Sequence, residues 1–482
     1  MPRKRPVPDE TGSEALKHLK IDDTSSDSDP SDTEPTEHIT NAFLDTICRN
    51  SLDFDFEEQC SVSLSITNIY ACLVCGKYFQ GRGQQTHAYF HSINDEHHVF
   101  INLKTLHVYV LPDNYEVMDK SLNDIKDIIQ PTYSTHDVMR IDDVIGRGHD
   151  LMGHPYTVGC VGLNRVKHTS YINVIIQTLA HIRPIRNFLL TLSNLDKRPP
   201  LVRKLSMVVR RMWHARRFKA HISPHECVQE IVVLSKGRFG LDEEADPFEL
   251  LVWMLNTLHG MVRKKKTSVV YETVRGKMQV AMRKVQDVSQ DDMVEDVEAT
   301  ISTMPFLALS LELPPTPLFT HPSTDDEDER ANIPQVALGT LLQRYDGTTT
   351  VETNGLVWQY TVTNLPTYIV CHVKRFTKHN MLEKNPTVVN FPVCNVPFGE
   401  LLHVHGSTSV TYDLVVNVCH VGHQGKSAVD GAVLTEFEES PFFAYVRQGE
   451  NLWFRVHDLQ VEPVMPQMLF LSDSYIQVWQ RN

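Results

Sequence analysis

Several things are missing from this 482-residue chain. It has no apolar run near the roughly 18 residues of a membrane span; Met304–Leu313 is short and is followed by Pro314 and Pro315. No apolar signal core follows the basic start, so the sequence predicts neither secretion nor membrane insertion. An even cysteine framework is lacking too: nine scattered cysteines argue for a reducing compartment rather than a disulfide scaffold. There is also no overall positive charge, since 46 Lys+Arg against 60 Asp+Glu give −14. That excludes a uniformly basic nucleic-acid coat, although not local basic patches.

The acidity is concentrated. Residues 1–37 hold 5 basic and 10 acidic side chains, and residues 325–330 hold 1 and 5, leaving −5 for everything else. The first segment, rich in Ser, Thr, Asp, Glu and Pro, has too little apolar area to offset chain entropy and reads as a disordered acidic tail. Its tip, Pro2-Arg3-Lys4-Arg5-Pro6, reads either as a nuclear-import cluster or as a stray solvated basic end. Ser25, Ser26 and Ser28 sit among acids as substrates for an acid-directed kinase. The stretch 321–330 reads as an acidic surface loop.

Apolar patterning runs from about Phe43 to Tyr133, and a polar, glycine-bearing stretch at 136–155 reads as a linker. From Tyr156 onward, helical periodicity at Tyr171–Ile182 and Leu201–Trp213 precedes β-rich runs at Phe306–Leu313, Tyr368–Val373, Tyr412–Val418, Phe442–Val446 and Tyr475–Trp479. Helices first and strands later indicate an α+β fold rather than alternating βαβ units.

Cys72-Leu-Val-Cys75 followed by His91 and His97 is the strongest chemical pattern. Two thiolates and two imidazoles suit tetrahedral zinc, and the two-residue gap lets both sulfurs point inward from one turn. The spacing also meets the loose template of a DNA-binding finger. The interior does not: Gly81-Arg82-Gly83 interrupts it, His87 adds a third histidine, and a basic base-reading helix is missing. A structural zinc is expected, and sequence-specific DNA binding is not.

Residues Cys72–Ser92 with His97-His98 resemble the ubiquitin-binding (UBP) zinc finger that accompanies ubiquitin-specific proteases. The resemblance implies one complete zinc site at Cys72, Cys75, His91 and His97. It also implies a degraded second site, where Cys60 and His87 match but Ser63 and Gln80 replace cysteines, and a lost third site near Val108. Arg82 falls where family members hold the ubiquitin C-terminus, and it reads equally as a plain loop arginine.

Most of residues 156–482 resemble the papain-like catalytic domain of the same proteases. The anchors are Gly162-Leu163-Asn164, Tyr171, Asn173 and Gln177, Leu365-Pro366 leading to His372–Phe376, Tyr412-Asp413-Leu414, and Trp453-Phe454. Their chemistry requires a thiol beside an oriented imidazole. Here the thiol position holds Ser170, the base position Pro441, the orienting position His457 and the oxyanion position His168. Loss of all three triad groups removes the reaction pathway. Ser170 then reads as a helix N-cap, with a rewired Ser170–His168 pair as the alternative, and His420 as structural. Residues 260–305 lack the cysteines of the family's second zinc, so that region must hold together by packing.

The resemblance narrows to the inactive, ubiquitin-specific-protease-like splicing factors associated with the tri-snRNP. It rests on Leu52–Glu57, Tyr70–Gly83, Leu111–Glu116, Phe218–Glu226, Glu383–Pro392 and His457–Trp479. It implies a nuclear, non-catalytic subunit, with tri-snRNP proteins and snRNA as partners and one structural zinc. Its alternatives are a ubiquitin reader and a deubiquitinase with unorthodox residues. Arg210, Arg211, Arg216, Arg217 and Lys219, with a second knot at Arg263–Lys266, read either as a partner-binding basic patch or as a solvated helix face.

Overall fold

The computed structural model describes residues 43–482 apart from 56, 285–299, 316–333, 354, 377–383, 405, 407, 408 and 422–440. The acidic tail 1–37 and the acidic stretch 321–330 lie outside the described residues.

The first sheet contains β1 (Ile69–Cys72), β2 (Tyr78–Gln80), β3 (Val99–Asn102), β4 (Val108–Val110) and β5 (Tyr115–Val117), in the order β2-β1-β3-β4-β5. Its aromatic and β-branched residues suit a pleated, buried surface. Ile69, Ile101, Val108 and Val110 pack with Leu52, Phe54, Ile125 and Ile129 into one small core. Helix α1 (His87–Asn94) crosses between β2 and β3, and α2 (Asn123–Ile129) closes the far side.

The stretch expected as a linker is structured. It carries α3 (Thr135–Asp143), started by a capping box in which Ser134 and Asp137 satisfy each other's backbone N–H groups. A hairpin of β6 (Arg147–His149) and β7 (Pro155–Thr157) follows. The helical layer then comprises α4 (Ser170–His181), α5 (Arg183–Thr191), α6 (Pro200–Met212), α7 (His225–Leu234), α8 (Pro247–Val262) and α9 (Val269–Val274). Every residue of α4 is buried, as befits a helix running through a core rather than along its surface. On α6 the predicted stripe of Leu201, Leu205, Val208, Val209 and Met212 faces inward. Each such aliphatic side chain, fully buried, contributes about 1.5–3 kcal/mol.

The strands follow the helices, as expected for α+β. Before them, β8 (Gly162–Leu163) and β9 (His221–Ile222) form a short parallel pair. Then come β10 (Gly276–Lys284), β11 (Thr300–Phe306), β12 (Leu309–Glu312), β13 (Gln335–Ala337), β14 (Asp346–Thr353), β15 (Leu356–Asn364), β16 (Tyr368–Lys374) and β17 (Val388–Asn390). The last five are β18 (Tyr412–His420), β19 (Phe442–Gln448), β20 (Leu452–His457), β21 (Gln460–Val464) and β22 (Asp473–Arg481). The predicted run Phe306–Leu313 is split, because its ends belong to different sheets. One sheet has the order β11-β10-β15-β14, the other β12-β16-β22-β18-β19-β20-β21. The cysteine-free region is held by the β10–β11 and β10–β15 ladders and by buried Met278, Val280, Phe306 and Val362.

Candidate metal centre and the expected catalytic positions

Cys72 ends β1, and the chain turns at once, with Gly76 N–H donating to the Cys72 carbonyl at 2.9 Å and Cys72 N–H to the Lys77 carbonyl at 2.9 Å. Gly76 has φ +74° and packs where a Cβ would strike the Ser51 carbonyl, so the turn requires glycine. Helix α1 supplies His91 and the turn after it His97. The four ligand atoms of Cys72, Cys75, His91 and His97 lie within 4.8 Å of one another. Cys75 Sγ is 3.4 Å from His91 Nε2, which is 3.0 Å from His97 Nδ1. Zinc bonds of ~2.3 Å to sulfur and ~2.0–2.1 Å to nitrogen require such separations. His91 Nδ1 is 2.6 Å from the Asp95 carboxylate, which leaves Nε2 to face the site, and Phe79 stacks on the ring at 4.3 Å. A hydrogen bond from Cys72 holds the Cys75 thiol well below its ordinary range. The residues fit zinc.

Cys60, Ser63 and Gln80, expected as part of a degraded second site, are linked by hydrogen bonds. Ser63 Oγ donates to Gln80 Oε1 at 2.9 Å, and Ser63 N–H to Cys60 Sγ at 3.4 Å. Val108 is buried in β4. Among the described residues, the Cys72 quartet is the one group of three or more such side chains drawn together. Arg82 is engaged within the finger, its guanidinium 4.2 Å over the Tyr109 ring and its Nη1 donating to Asn114 Oδ1 at 2.5 Å.

In the cleft, Ser170 is the first residue of α4 rather than its cap. That place belongs to Thr169, whose Oγ1 accepts from Val166 N–H at 2.9 Å. Ser170 is fully buried and its Oγ donates to Glu244 Oε1 at 2.7 Å. Burial pushes the Glu244 carboxyl up to about 7, against the opposing effects of the Ser170 hydrogen bond and the Arg165 charge. His168 is exposed, and its backbone N–H binds the Leu241 carbonyl at 3.2 Å. Pro441 lies just before β19, its carbonyl accepting from Val421 N–H at 2.7 Å. His457 ends β20, 6.1 Å from the Phe443 ring. His420 is buried in β18 between the rings of Phe376 and Phe442.

The family anchors brace the cleft. Asn173 Nδ2 donates to Asp458 Oδ1 at 2.8 Å, Gln177 Nε2 to the Val161 carbonyl at 2.6 Å, and Tyr171 Oη to the Gly240 carbonyl at 2.9 Å. Sequence reasoning missed Glu244. Its only signal was the acidic triplet Asp242-Glu243-Glu244, 74 positions from Ser170.

The expected basic patch is dispersed. Arg210 points into the core, where it donates to the carbonyls of Leu192 at 2.5 Å and Pro131 at 3.3 Å. Arg217 is buried against the Tyr156 ring at 3.6 Å. Arg211 pairs with Asp55 at 3.0 Å, and Lys219 pairs with Asp53 at 2.7 Å and Asp55 at 2.8 Å. These pairs join the segment leading into the finger to the helical layer. Of the five, Arg216 alone is exposed. The second knot, Arg263–Lys266, is exposed along its length in the turn after α8.

The family profile "Ubiquitin carboxyl-terminal hydrolase" matches residues 161–479, and "Zn-finger in ubiquitin-hydrolases and other protein" matches residues 59–122. The Schizosaccharomyces pombe "Probable mRNA-splicing protein ubp10" is 39% identical over 92% of this chain and 88% of its own. Human "Ubiquitin carboxyl-terminal hydrolase 39" is 40% identical over 91% and 80%. The solved "Crystal structure of an essential yeast splicing factor" shares 28% identity and a TM-score of 0.73, covering 92% of this chain and 100% of that one. The chain therefore belongs to the ubiquitin carboxyl-terminal hydrolase family and carries, ahead of the hydrolase fold, the zinc-binding finger found in ubiquitin hydrolases.

Proposed function

We propose that this protein is a non-catalytic hydrolase homologue acting in the nucleus as a pre-mRNA splicing factor, where it supports assembly or stability of the tri-snRNP. The observation that carries the non-catalytic part is the Ser170–Glu244 hydrogen bond. At the position of the thiol, a buried hydroxyl donates to the Glu244 carboxyl group. A hydroxyl needs an efficient base, itself held by an orienting group, to attack, and the positions of that base and orienter hold Pro441 and the strand-end His457. Splicing is supported by the names of relatives that match nearly the whole chain. One zinc, held by Cys72, Cys75, His91 and His97, stabilises the finger. The exposed Arg263–Lys266 turn is the positive surface offered to snRNA phosphates or acidic snRNP proteins.

Depletion of the protein from nuclear extract, followed by add-back, tests this reading. Wild type and Ser170→Ala should restore splicing equally, and neither should be labelled by an electrophilic ubiquitin probe. Labelling of the wild type together with failed rescue by Ser170→Ala would establish catalysis instead. Metal analysis should find one zinc per chain; three, or none, would overturn the ligand assignment. Ubiquitin titrated by calorimetry should show no binding through Arg82.

A further inference from the structure

A polar cavity of about 180 Å3 lies between the end of α3, α5 and the ends of the central strands β18, β19 and β22 of the large sheet. It belongs neither to the zinc site nor to the cleft. Three guanidiniums line it, those of Arg183, Arg186 and Arg447, together with the carboxylates of Asp142 and Asp413 and the imidazole of His181. The carboxylates are already engaged: Asp142 accepts from Arg186 Nη2 at 2.7 Å, and Asp413 from Arg447 Nη1 at 3.0 Å. Donors remain. Arg186 spends Nε and Nη2 on Asn187 and Asp142, and Arg447 spends Nε and Nη1 on Glu450 and Asp413. Among the described residues, Arg186 Nη1, Arg447 Nη2 and both terminal nitrogens of Arg183 meet no hydrogen-bond acceptor.

His181 supplies the complementary need. It is 3% exposed, its Nδ1 is 2.8 Å from the Gln177 carbonyl, and its Nε2 is buried without a hydrogen-bond partner. Because a carbonyl only accepts, Nδ1 carries the proton and Nε2 presents a lone pair. Burial, aided by the Arg186 charge, lowers this histidine to about 4 and keeps it neutral. Buried polar atoms in native proteins are almost always satisfied. An occupant must therefore accept from guanidiniums and also donate to an imidazole.

We propose that the cavity binds a small protonated oxyanion, inorganic phosphate or a compact phosphate monoester, whose oxygens accept from Arg183, Arg186 and Arg447 and whose hydroxyl donates to His181 Nε2. Planar guanidiniums suit phosphate oxygens. The volume is many times the ~10–15 Å3 of such space that one water needs, and it admits a tetrahedral ion. Arg183, with a half-exposed side chain, stands at the entrance.

Calorimetry on the full chain with inorganic phosphate tests this. A single saturable site is expected. Arg183→Ala, which changes an exposed side chain and leaves the core intact, should weaken it at least about tenfold. Sulfate has the same shape but no proton to donate near neutral pH, and it should bind at least about tenfold more weakly than phosphate. Glycerol 3-phosphate distinguishes the sources: affinity equal to phosphate assigns the ester, and weaker affinity the free ion. No binding at about 10 mM phosphate means a cavity holding water only, and unchanged binding in Arg183→Ala places the ion elsewhere; either result overturns the proposal. Equal affinity for sulfate overturns the His181 contact.

Discussion

Asp55→Ala should uncouple the finger from the hydrolase fold. Asp55 accepts from Arg211 Nη1 at 3.0 Å and from Ser223 N–H at 3.0 Å, and it pairs with Lys219 at 2.8 Å. Asp53 holds the same lysine at 2.7 Å. A hydrogen bond to a charged group contributes about 1.5–3 kcal/mol. Simple addition of three such contacts overstates the loss, because Arg211 and Lys219 keep 22% and 30% of their side chains in solvent, and water recovers part of it. The expected destabilisation is about 3 kcal/mol, close to that of stranding a partly buried cation. Urea unfolding can separate the two bodies. All five tryptophans, Trp213, Trp253, Trp358, Trp453 and Trp479, lie in the hydrolase fold, so fluorescence reports that part while a chromophoric chelator reports zinc release from the finger. In the wild type the two signals should coincide. In Asp55→Ala zinc release should come at lower urea with the fluorescence midpoint nearly in place. A cycle with Arg211→Ala should give a coupling of about 1–2 kcal/mol. Coincident transitions in the variant, with a change below about 0.5 kcal/mol, would refute the clamp.

Glu244 should tie stability to pH. Burial keeps it protonated up to about pH 7 in the fold, against an ordinary 4.5 when unfolded, so stability falls as pH rises from 4.5 to 7 and stays low above. The change is on the order of 3 kcal/mol. Glu244→Gln should flatten that limb when urea midpoints are compared at pH 5 and 7.5, and parallel pH profiles would contradict the assignment. Gly76→Ala should destabilise the finger by more than about 2 kcal/mol, since φ is positive and the Ser51 carbonyl blocks the new methyl; wild-type zinc retention would refute it. Ser170→Cys should gain no labelling by an electrophilic ubiquitin probe, because Pro441 and His457 remain where base and orienter are needed. Labelling above the wild-type level would show a working base.

The sequence alone was enough for features whose partners are near in the chain or whose pattern is periodic. Cys72 and Cys75 share one turn, and His91 and His97 flank the end of one helix, so the zinc site was legible. So were α4 and α6, whose apolar repeats match the observed helices to within a residue at each end. Tertiary structure alone decided where charges point. Arg210 and Arg211 are neighbours in sequence yet about 100° apart around a helix, so one is driven into backbone carbonyls and the other onto Asp55. Their charge was visible and their direction was not. Likewise Ser170 met Glu244, and Arg186 met Asp142, only through folding. A side chain's chemistry is local, whereas its partner, and so its role, depends on which distant segment the core brings beside it.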